Sequence, residues 1–189
     1  MESDSKRSSL ASPPSARPWR LRTKSFLTTL AFDLVRGAAI VACLHLFVFQ
    51  FSLVRGSSMQ PNIHDGDHLL VDRLSYQLGE VDRFDVAILE CPLTPGVDYV
   101  KRIVGLPGDK IEIAAGHVRV NGRELPETFD YIVDRVESGT WVLPDNQYFV
   151  LGDNRPVSSD SREGWFVPRE KLRGKVRACL WPPTHLRAF

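Results

Sequence analysis

The stretch DYVKRIVGLPGD, residues 98–109, combines a β-strand pattern with the turn signal that ends the strand. Apolar and β-branched residues dominate its first part, and the Pro-Gly-Asp run at 107–109 supplies the residue types that tight turns require. Neighbouring residues of a strand face opposite sides of the sheet. The adjacent cations Lys101 and Arg102 therefore point to opposite faces, and at least one must find an ion pair, a solvated edge or an unusual buried site.

Short runs of the same kind follow one another from residue 55 onward, and Gly next to Asp or Asn separates them, as in Gly66-Asp67 and Asn121-Gly122. We expect a mainly β domain over residues 55–189, in which the less periodic residues 123–146 form an insertion or a β-ribbon. The runs predicted as strands are His68 to Val71, Asp85 to Leu89, Tyr99 to Val104, Lys110 to Ile113, His117 to Val120 and Tyr148 to Leu151.

The segment before this domain has the composition of a membrane anchor. Residues 37–54, GAAIVACLHLFVFQFSLV, carry no formal charge, and the mixed stretch 25–36 before them is also rich in apolar residues. A run of this length can cross a bilayer, and no small-residue cleavage pattern follows it, which favours an uncleaved anchor over 25–54. Because Lys and Arg precede it, we expect residues 1–24 to be a disordered cytoplasmic tail and the β-domain to be extracytoplasmic.

Composition and spacing argue against several other kinds of protein. The formal net charge of +1 over 189 residues gives no sign of a nucleic-acid binder. The three cysteines form no disulfide framework, although Cys91 and Cys179 could pair. His64 and His68 have the spacing of a metalloprotease helix, but Gly66 argues against a helix and the H-E-x-x-H pattern is absent. We expect no metal and no cofactor.

Three polar segments could carry chemistry. Ser58 lies in GSSMQP, residues 56–61, where small residues let the backbone expose a hydroxyl. Lys101 could act as a base, because burial disfavours the charged ammonium and a neutral amine can remove a proton from a nearby hydroxyl. Ser158, in GDNRPVSSDSR at 152–162, could orient that amine. Taken singly, each segment also fits a role without catalysis: a polar turn, a solvated edge-strand cation or a solvated loop.

Together the segments resemble those of bacterial type I signal peptidases, which have in this order S-M-x-P after a membrane segment, D-Y-V-K-R-I-V-G-L-P-G-D, and G-D-N-R-x-x-S-x-D-S-R. The similarity covers roughly residues 35–183. It implies a signal-peptidase-like β-fold after one transmembrane helix, and a Ser-Lys dyad. In that dyad Ser58 attacks the scissile carbonyl, Lys101 takes its proton and later protonates the leaving amine, and Ser158 positions the Lys101 amine.

The same resemblance implies the substrate and the location. The family removes signal peptides from secretory preproteins after small residues, at the bacterial cytoplasmic membrane, so the expected partners are preproteins and membrane lipid. Gly56 stands where some members have a hydroxyl that donates a hydrogen bond to the oxyanion. The donor that can be named in this sequence is therefore the Ser58 backbone N–H. By position, the pocket-lining candidates are Met59, Ile63, Tyr99 and Val100, and the residues expected to support the site are Asp153, Asp160 and Arg162.

Alternative functions share parts of this pattern. A conjugation-type maturation peptidase, which processes one dedicated precursor, would have the same fold and dyad, and a panel of precursors would distinguish it. A membrane-tethered domain that binds peptides without cutting them is disfavoured by the intact Ser58, Lys101 and Ser158. The Ser-Lys peptidases that self-cleave transcriptional repressors are cytoplasmic and carry a DNA-binding segment, which the predicted anchor argues against.

Overall fold

The computed structural model describes residues 20–189, except for the side chains of residues 20–25 and 44–47. Helix α1 runs from Arg20 to Val48, and its stretch Phe26–Cys43, with a mean hydropathy of 1.7, is long and apolar enough to cross a membrane. Of the predicted disordered tail, residues 1–19 lie outside the described part, and residues 20–24 are helical. The chain divides into two compact units, Met1–Cys43 and Leu44–Phe189.

The helix ends earlier than the predicted anchor, which extended to Val54. Residues Phe49–Leu53 form strand β1, which pairs antiparallel with strand β2, His68–Asp72. The sequence FQFSL alternates apolar and polar residues, which is strand periodicity, but its apolar composition continues that of the helix. The last part of the predicted anchor is therefore an edge strand of the β-domain.

The second unit is a mainly β domain built from two antiparallel sheets, which confirms the predicted fold class. Its other strands and its α-helix are α2 Ser75–Leu78, β3 Val86–Glu90, β4 Asp98–Gly105, β5 Lys110–Ala114, β6 His117–Val120, β7 Arg123–Glu124, β8 Gly139–Val142, β9 Gln147–Leu151, β10 Val167–Pro168, β11 Leu172–Trp181 and β12 Arg187–Ala188. The larger sheet has the order β1-β2-β11-β3-β4-β9-β10, with β12 paired to β11, and the smaller sheet has the order β7-β6-β5-β8.

Each predicted strand corresponds to an observed one, and residues 123–146 include β7 and β8 of the smaller sheet. Close packing in this domain leaves no room for a side chain at Gly105. At Gly105, where the chain passes from β4 towards the smaller sheet, a Cβ would lie 2.7 Å from Leu143 Cδ1 and from Phe149 Cβ. Cys91 and Cys179 are buried free thiols, so the disulfide left open by the sequence is not formed.

Two hydrophobic clusters position the elements that carry the candidate site. One joins the sheets by packing Val104, Phe149 and Leu151 of the larger sheet against residues of the smaller one. The other packs Met59 and Ile63, which follow Ser58, against β2, β3 and β11. Because burying such a side chain stabilises the fold by about 1.5–3 kcal/mol, the turn after Ser58 is firmly held.

Candidate active site

The two adjacent cations of β4 are both buried, with Lys101 3% and Arg102 6% exposed. Arg102 is fully paired: its Nε and Nη2 donate to the Asp153 carboxylate at 2.8 and 2.7 Å, and its Nη1 donates to the Phe84 carbonyl at 3.0 Å. Lys101 has no carboxylate within ion-pair distance among the described residues. The alternation of the strand thus gives one cation an ion pair and leaves the other buried without a direct ion pair among the described residues.

Lys101 meets a hydroxyl instead of an acid. Its Nζ donates to Ser158 Oγ over 3.0 Å and lies 5.4 Å from the centre of the Tyr99 ring. Burial lowers the pKa of Lys101 to about 8, although the charge of Asp160 acts in the opposite direction. About a tenth of the amines would then be neutral at pH 7, far more than for an exposed lysine. An amine in this environment could accept a proton from a nearby hydroxyl.

Ser58 lies in a turn that the 152–162 loop holds in place. The Asn154 N–H donates to the Ser58 carbonyl at 2.9 Å, and Asn154 Nδ2 donates to the Ser57 carbonyl at 3.1 Å. Gly56 has φ +100°, which favours glycine, and its N–H is engaged by Asp65 Oδ1 at 2.8 Å. Within the described chain the Ser58 N–H donates no hydrogen bond, so it is free to bind a substrate oxygen.

Gly152 lies where the Ser58 turn meets Ser158, the hydrogen-bond partner of Lys101. A Cβ at this position would lie 2.2 Å from Ser158 Oγ and 2.5 Å from the Ser58 carbonyl oxygen. Both distances are far below van der Waals contact, so only glycine lets the two elements approach this closely. The spacing between the Ser58 turn and Ser158 therefore depends on the missing side chain.

Ser58 and Lys101 line one cleft of about 610 Å³, between the segment 52–59 and the strand segment 97–101. Three of the four residues predicted to contact substrate, Met59, Tyr99 and Val100, are also part of its lining. Ile63 is not: it is fully buried and packs in the same hydrophobic cluster as Met59. Ile63 therefore lies behind the cleft wall, in the hydrophobic core that supports it.

The three residues predicted to support the site form two ion-pair groups beneath it. Asp153 accepts from Arg102 and also from Asn62 Nδ2 at 2.8 Å. Asp160, fully buried, accepts from Arg162 Nε at 2.8 Å and from the Gly152 N–H at 3.1 Å. Arg162 Nη2 reaches on to the Ser158 carbonyl at 3.2 Å. These contacts link the backbone beside Lys101 to the backbone beside Ser158.

Sequence reasoning missed a segment that closes over this network, residues 127–137, which we call the clamp segment. Glu127 pairs with Arg155, and Tyr131 lies under the same guanidinium with 4.5 Å from Cζ to the ring centre. Phe129 stacks on Arg102 at 3.9 Å. Glu127, Phe129 and Tyr131 are spaced two residues apart, which is the one sequence signal that could have placed them on a common face.

Two acidic residues of the clamp segment, Asp134 and Glu137, contact Arg162 at the far end of the same loop. Arg162 Nη1 lies 3.2 Å from Asp134 Oδ2 and 2.6 Å from Glu137 Oε2, and Ile132 forms an isolated parallel bridge with Asn154. Residues 123–146 thus do more than extend the smaller sheet, because they also hold the 152–162 loop against the cleft.

We expect Asp153→Asn to lower the free energy of unfolding by about 3–5 kcal/mol, because removing one partner of a buried ion pair leaves the Arg102 charge uncompensated. The measurement is urea unfolding in detergent followed by tryptophan fluorescence, with Asp145→Asn at an exposed position as the matched control. Equal midpoints and slopes for Asp153→Asn and wild type would show that the pair does not stabilise the fold.

Comparison with known proteins finds one family to which this chain is similar. The family model described as signal peptidase, peptidase S26, matches residues 27–181. A probable signal peptidase I-2 of Synechocystis is 34% identical over 158 residues, which are 81% of this chain and 72% of the relative. A signal peptidase I of Bacillus caldolyticus is 38% identical over 161 residues, covering 77% and 87%. A crystal structure of a signal peptidase I from Enterococcus faecalis is 31% identical, with a TM-score of 0.46, and covers 51% of this chain and 96% of that chain.

Proposed function

Because the chain belongs to the signal peptidase family, peptidase S26, we propose that it is a membrane-bound serine endopeptidase that removes signal peptides from secretory preproteins. The single observation that carries the catalytic part of this proposal is the buried Lys101 amine, which is bonded to a hydroxyl and lines the same cleft as Ser58. A lysine in this state can activate a serine without a histidine.

In the proposed reaction the neutral Lys101 amine takes the proton of Ser58, and Ser58 Oγ attacks the scissile carbonyl carbon. The resulting oxyanion accepts a hydrogen bond from the unoccupied Ser58 N–H. The Lys101 ammonium then protonates the leaving amine, and an acyl-enzyme remains on Ser58. With Lys101 again acting as base, water hydrolyses this ester and restores the serine. Ser158 Oγ, 3.0 Å from Nζ, keeps the amine directed during both steps.

The cleft suits an extended peptide. Residues 98–100 of β4 pair with β3 on one side, whereas the pairing of β4 with β9 begins only at Arg102, so the other edge of that part of β4 is open within the described chain. A precursor could bind there as an added strand, with main-chain hydrogen bonds setting its register. The buried Met59 and half-buried Tyr99 and Val100 then limit the size of the side chains that enter.

Membrane attachment is part of the proposal. The helical stretch Phe26–Cys43 has the length and composition of a span, and Lys and Arg residues precede it in the sequence. By the positive-inside tendency, the N-terminus would stay in the cytoplasm and residues 55–189 would work outside, at the bacterial cytoplasmic membrane. This location would bring the cleft to precursors whose signal peptides lie in the same bilayer, and the proposal involves no nucleic acid.

The proposal is tested by incubating the purified full-length protein, in detergent or lipid, with several secretory precursors that end their signal peptides in an A-x-A pattern. Mass spectrometry of both products should place the cut directly after the second small residue of each precursor. Matched precursors with Trp at that residue should resist cleavage, because a small pocket excludes a bulky side chain.

Three outcomes would contradict the proposal. Cleavage of only one precursor in the panel would indicate a dedicated maturation peptidase. Saturable binding of precursors without products would indicate a peptide-binding domain. Equal cleavage of the Ala and Trp precursors would show that the cleft does not select small residues.

A further inference from the structure

A second cluster of reactive side chains lies in the loop that follows the nucleophile turn, and none of its members lines the cleft. His64, Asp67 and His185 each offer a ligand atom, and these atoms all lie within 4.8 Å of one another. The centres of the two imidazole rings lie 4.5 Å apart, and their planes are inclined to each other by 30°. The chain thus brings its C-terminal turn, Pro183–His185, onto the loop between Ser58 and β2.

Asp67 is the fixed centre of this cluster. Its side chain is fully buried, and it accepts hydrogen bonds from the His64 N–H at 2.8 Å and shares one with His185 Nδ1 at 2.7 Å. The Cys179 thiol lies beside the same carboxylate, and burial together with the Asp67 charge raises the pKa of that thiol. A buried carboxylate therefore faces two imidazoles and a thiol, with no Lys or Arg paired to it among the described residues.

His64 is the unusual member. Its Nδ1 is buried and has no hydrogen-bond partner, a condition that no other side-chain nitrogen or oxygen shares in the described part of the chain. Buried polar atoms in folded proteins are almost always satisfied, so an exception calls for an explanation. An imidazole nitrogen with a free lone pair beside a buried carboxylate and a second imidazole has the composition of an incomplete coordination sphere.

We propose that His64, Asp67 and His185 bind a divalent transition-metal ion of the zinc type. Imidazole nitrogen and carboxylate oxygen are the donors that Zn²⁺ takes in proteins, whereas Mg²⁺ prefers oxygen ligands and retained waters. The ion takes the place of the proton shared by His185 Nδ1 and Asp67, and it satisfies the unpaired His64 nitrogen. A buried negative charge is thereby balanced by a cation.

The loop that carries Asp67 is hydrogen-bonded to the segment that leads into the Ser58 turn. The Asp67 carbonyl accepts from the Val54 N–H at 2.9 Å, and the Gly66 N–H donates to the Val54 carbonyl at 3.0 Å. A bound ion would join the C-terminal turn to this loop and, through it, to the segment that enters the Ser58 turn. We expect the ion to raise the unfolding temperature of the β-domain without taking part in peptide hydrolysis.

The test is a calorimetric titration of Zn²⁺ into the full-length protein, purified without an oligohistidine tag and freed of metal by chelation. Wild type should show a single saturable site and a higher unfolding temperature with Zn²⁺. The Zn²⁺ affinity of His185→Ala should fall by more than about 100-fold, because the loss of an outer-shell partner alone costs about 10–100-fold. His185→Gln, which keeps a polar partner for Asp67, should show a similar loss of Zn²⁺ affinity. His68→Ala, an exposed histidine of the same region, is the matched control and should bind as wild type does.

Several results would overturn the site. These are the absence of saturable Zn²⁺ binding to wild type, unchanged affinity in both His185 variants, and Mg²⁺ binding as tight as that of Zn²⁺. Unfolding curves of the metal-free variants show whether they are folded, so a loss of affinity can be assigned to the ligand. Because binding and unfolding temperature are read without substrate, the result does not depend on the proposed peptidase activity.

Discussion

Ser58→Ala and Lys101→Ala are each expected to lower the rate of precursor cleavage by about 10⁴–10⁶-fold, the range seen when one member of a concerted catalytic group is removed. The first variant removes the atom that forms the acyl-enzyme. The second removes the buried amine that lines the cleft and donates a hydrogen bond to Ser158. Because the two residues act in one step, the double variant should be no slower than either single variant.

The measurement is the single-turnover rate of precursor cleavage, with near-ultraviolet circular dichroism to establish that each variant is folded. The matched controls are Ser138→Ala and Lys110→Ala, at exposed positions outside the cleft, which should cleave at the wild-type rate. A folded Ser58→Ala or Lys101→Ala variant that retains more than a small fraction of the wild-type rate would remove that residue from the mechanism.

Gly152→Ala should produce the second large effect, a fall in kcat of about 100-fold, which is what a displacement of about 1 Å can cost at a catalytic centre. The added Cβ would meet Ser158 Oγ and the Ser58 carbonyl at distances of 2.2 and 2.5 Å, so the nucleophile turn and the residue that directs Lys101 must move apart. KM should change less than kcat, because position 152 does not itself line the cleft.

Steady-state kinetics on one precursor tests this expectation. Gly37→Ala is the matched control, because a Cβ there meets nothing within 4 Å. Wild-type kcat in Gly152→Ala would show that the close approach of the two elements is unimportant for the rate. A rise in KM with unchanged kcat would show that Gly152 acts on substrate binding instead.

Much of the β-domain could be predicted from local pattern. Runs such as His117 to Val120 alternate strictly, and Gly-Asp or Asn-Gly turns separate them, so their conformation depends on near neighbours. The segment 49–53 was misassigned for the opposite reason. It is apolar enough to continue α1, and only its pairing with β2, which lies beyond the Ser58 turn, makes it a strand.

The residues of the candidate site and a possible role for a buried lysine could be predicted from the sequence, but the contacts that hold these residues in place could not. Strand alternation showed that Lys101 and Arg102 need different environments, without showing which one is paired. That outcome depends on Asp153, far along the chain. The partners of the clamp segment and the contact between His64 and His185 could not be predicted for the same reason, because each contact joins residues that are far apart in the sequence. Ile63 was placed in the pocket wall by its position after Ser58, yet the fold turns it into the core.

The central claim is that Lys101, whose pKa is lowered by burial, activates Ser58 in its neutral form. The most direct measurement is the pH dependence of kcat/KM for precursor cleavage, because it reports the pKa of the essential base in the free enzyme. Lys101 must be unprotonated to accept the serine proton. Activity should therefore rise about tenfold per pH unit below the midpoint, reach half its limit near pH 8, and level off above it. A midpoint near 10.5, the ordinary lysine value, or a rate independent of pH between 6 and about 9, would contradict the account.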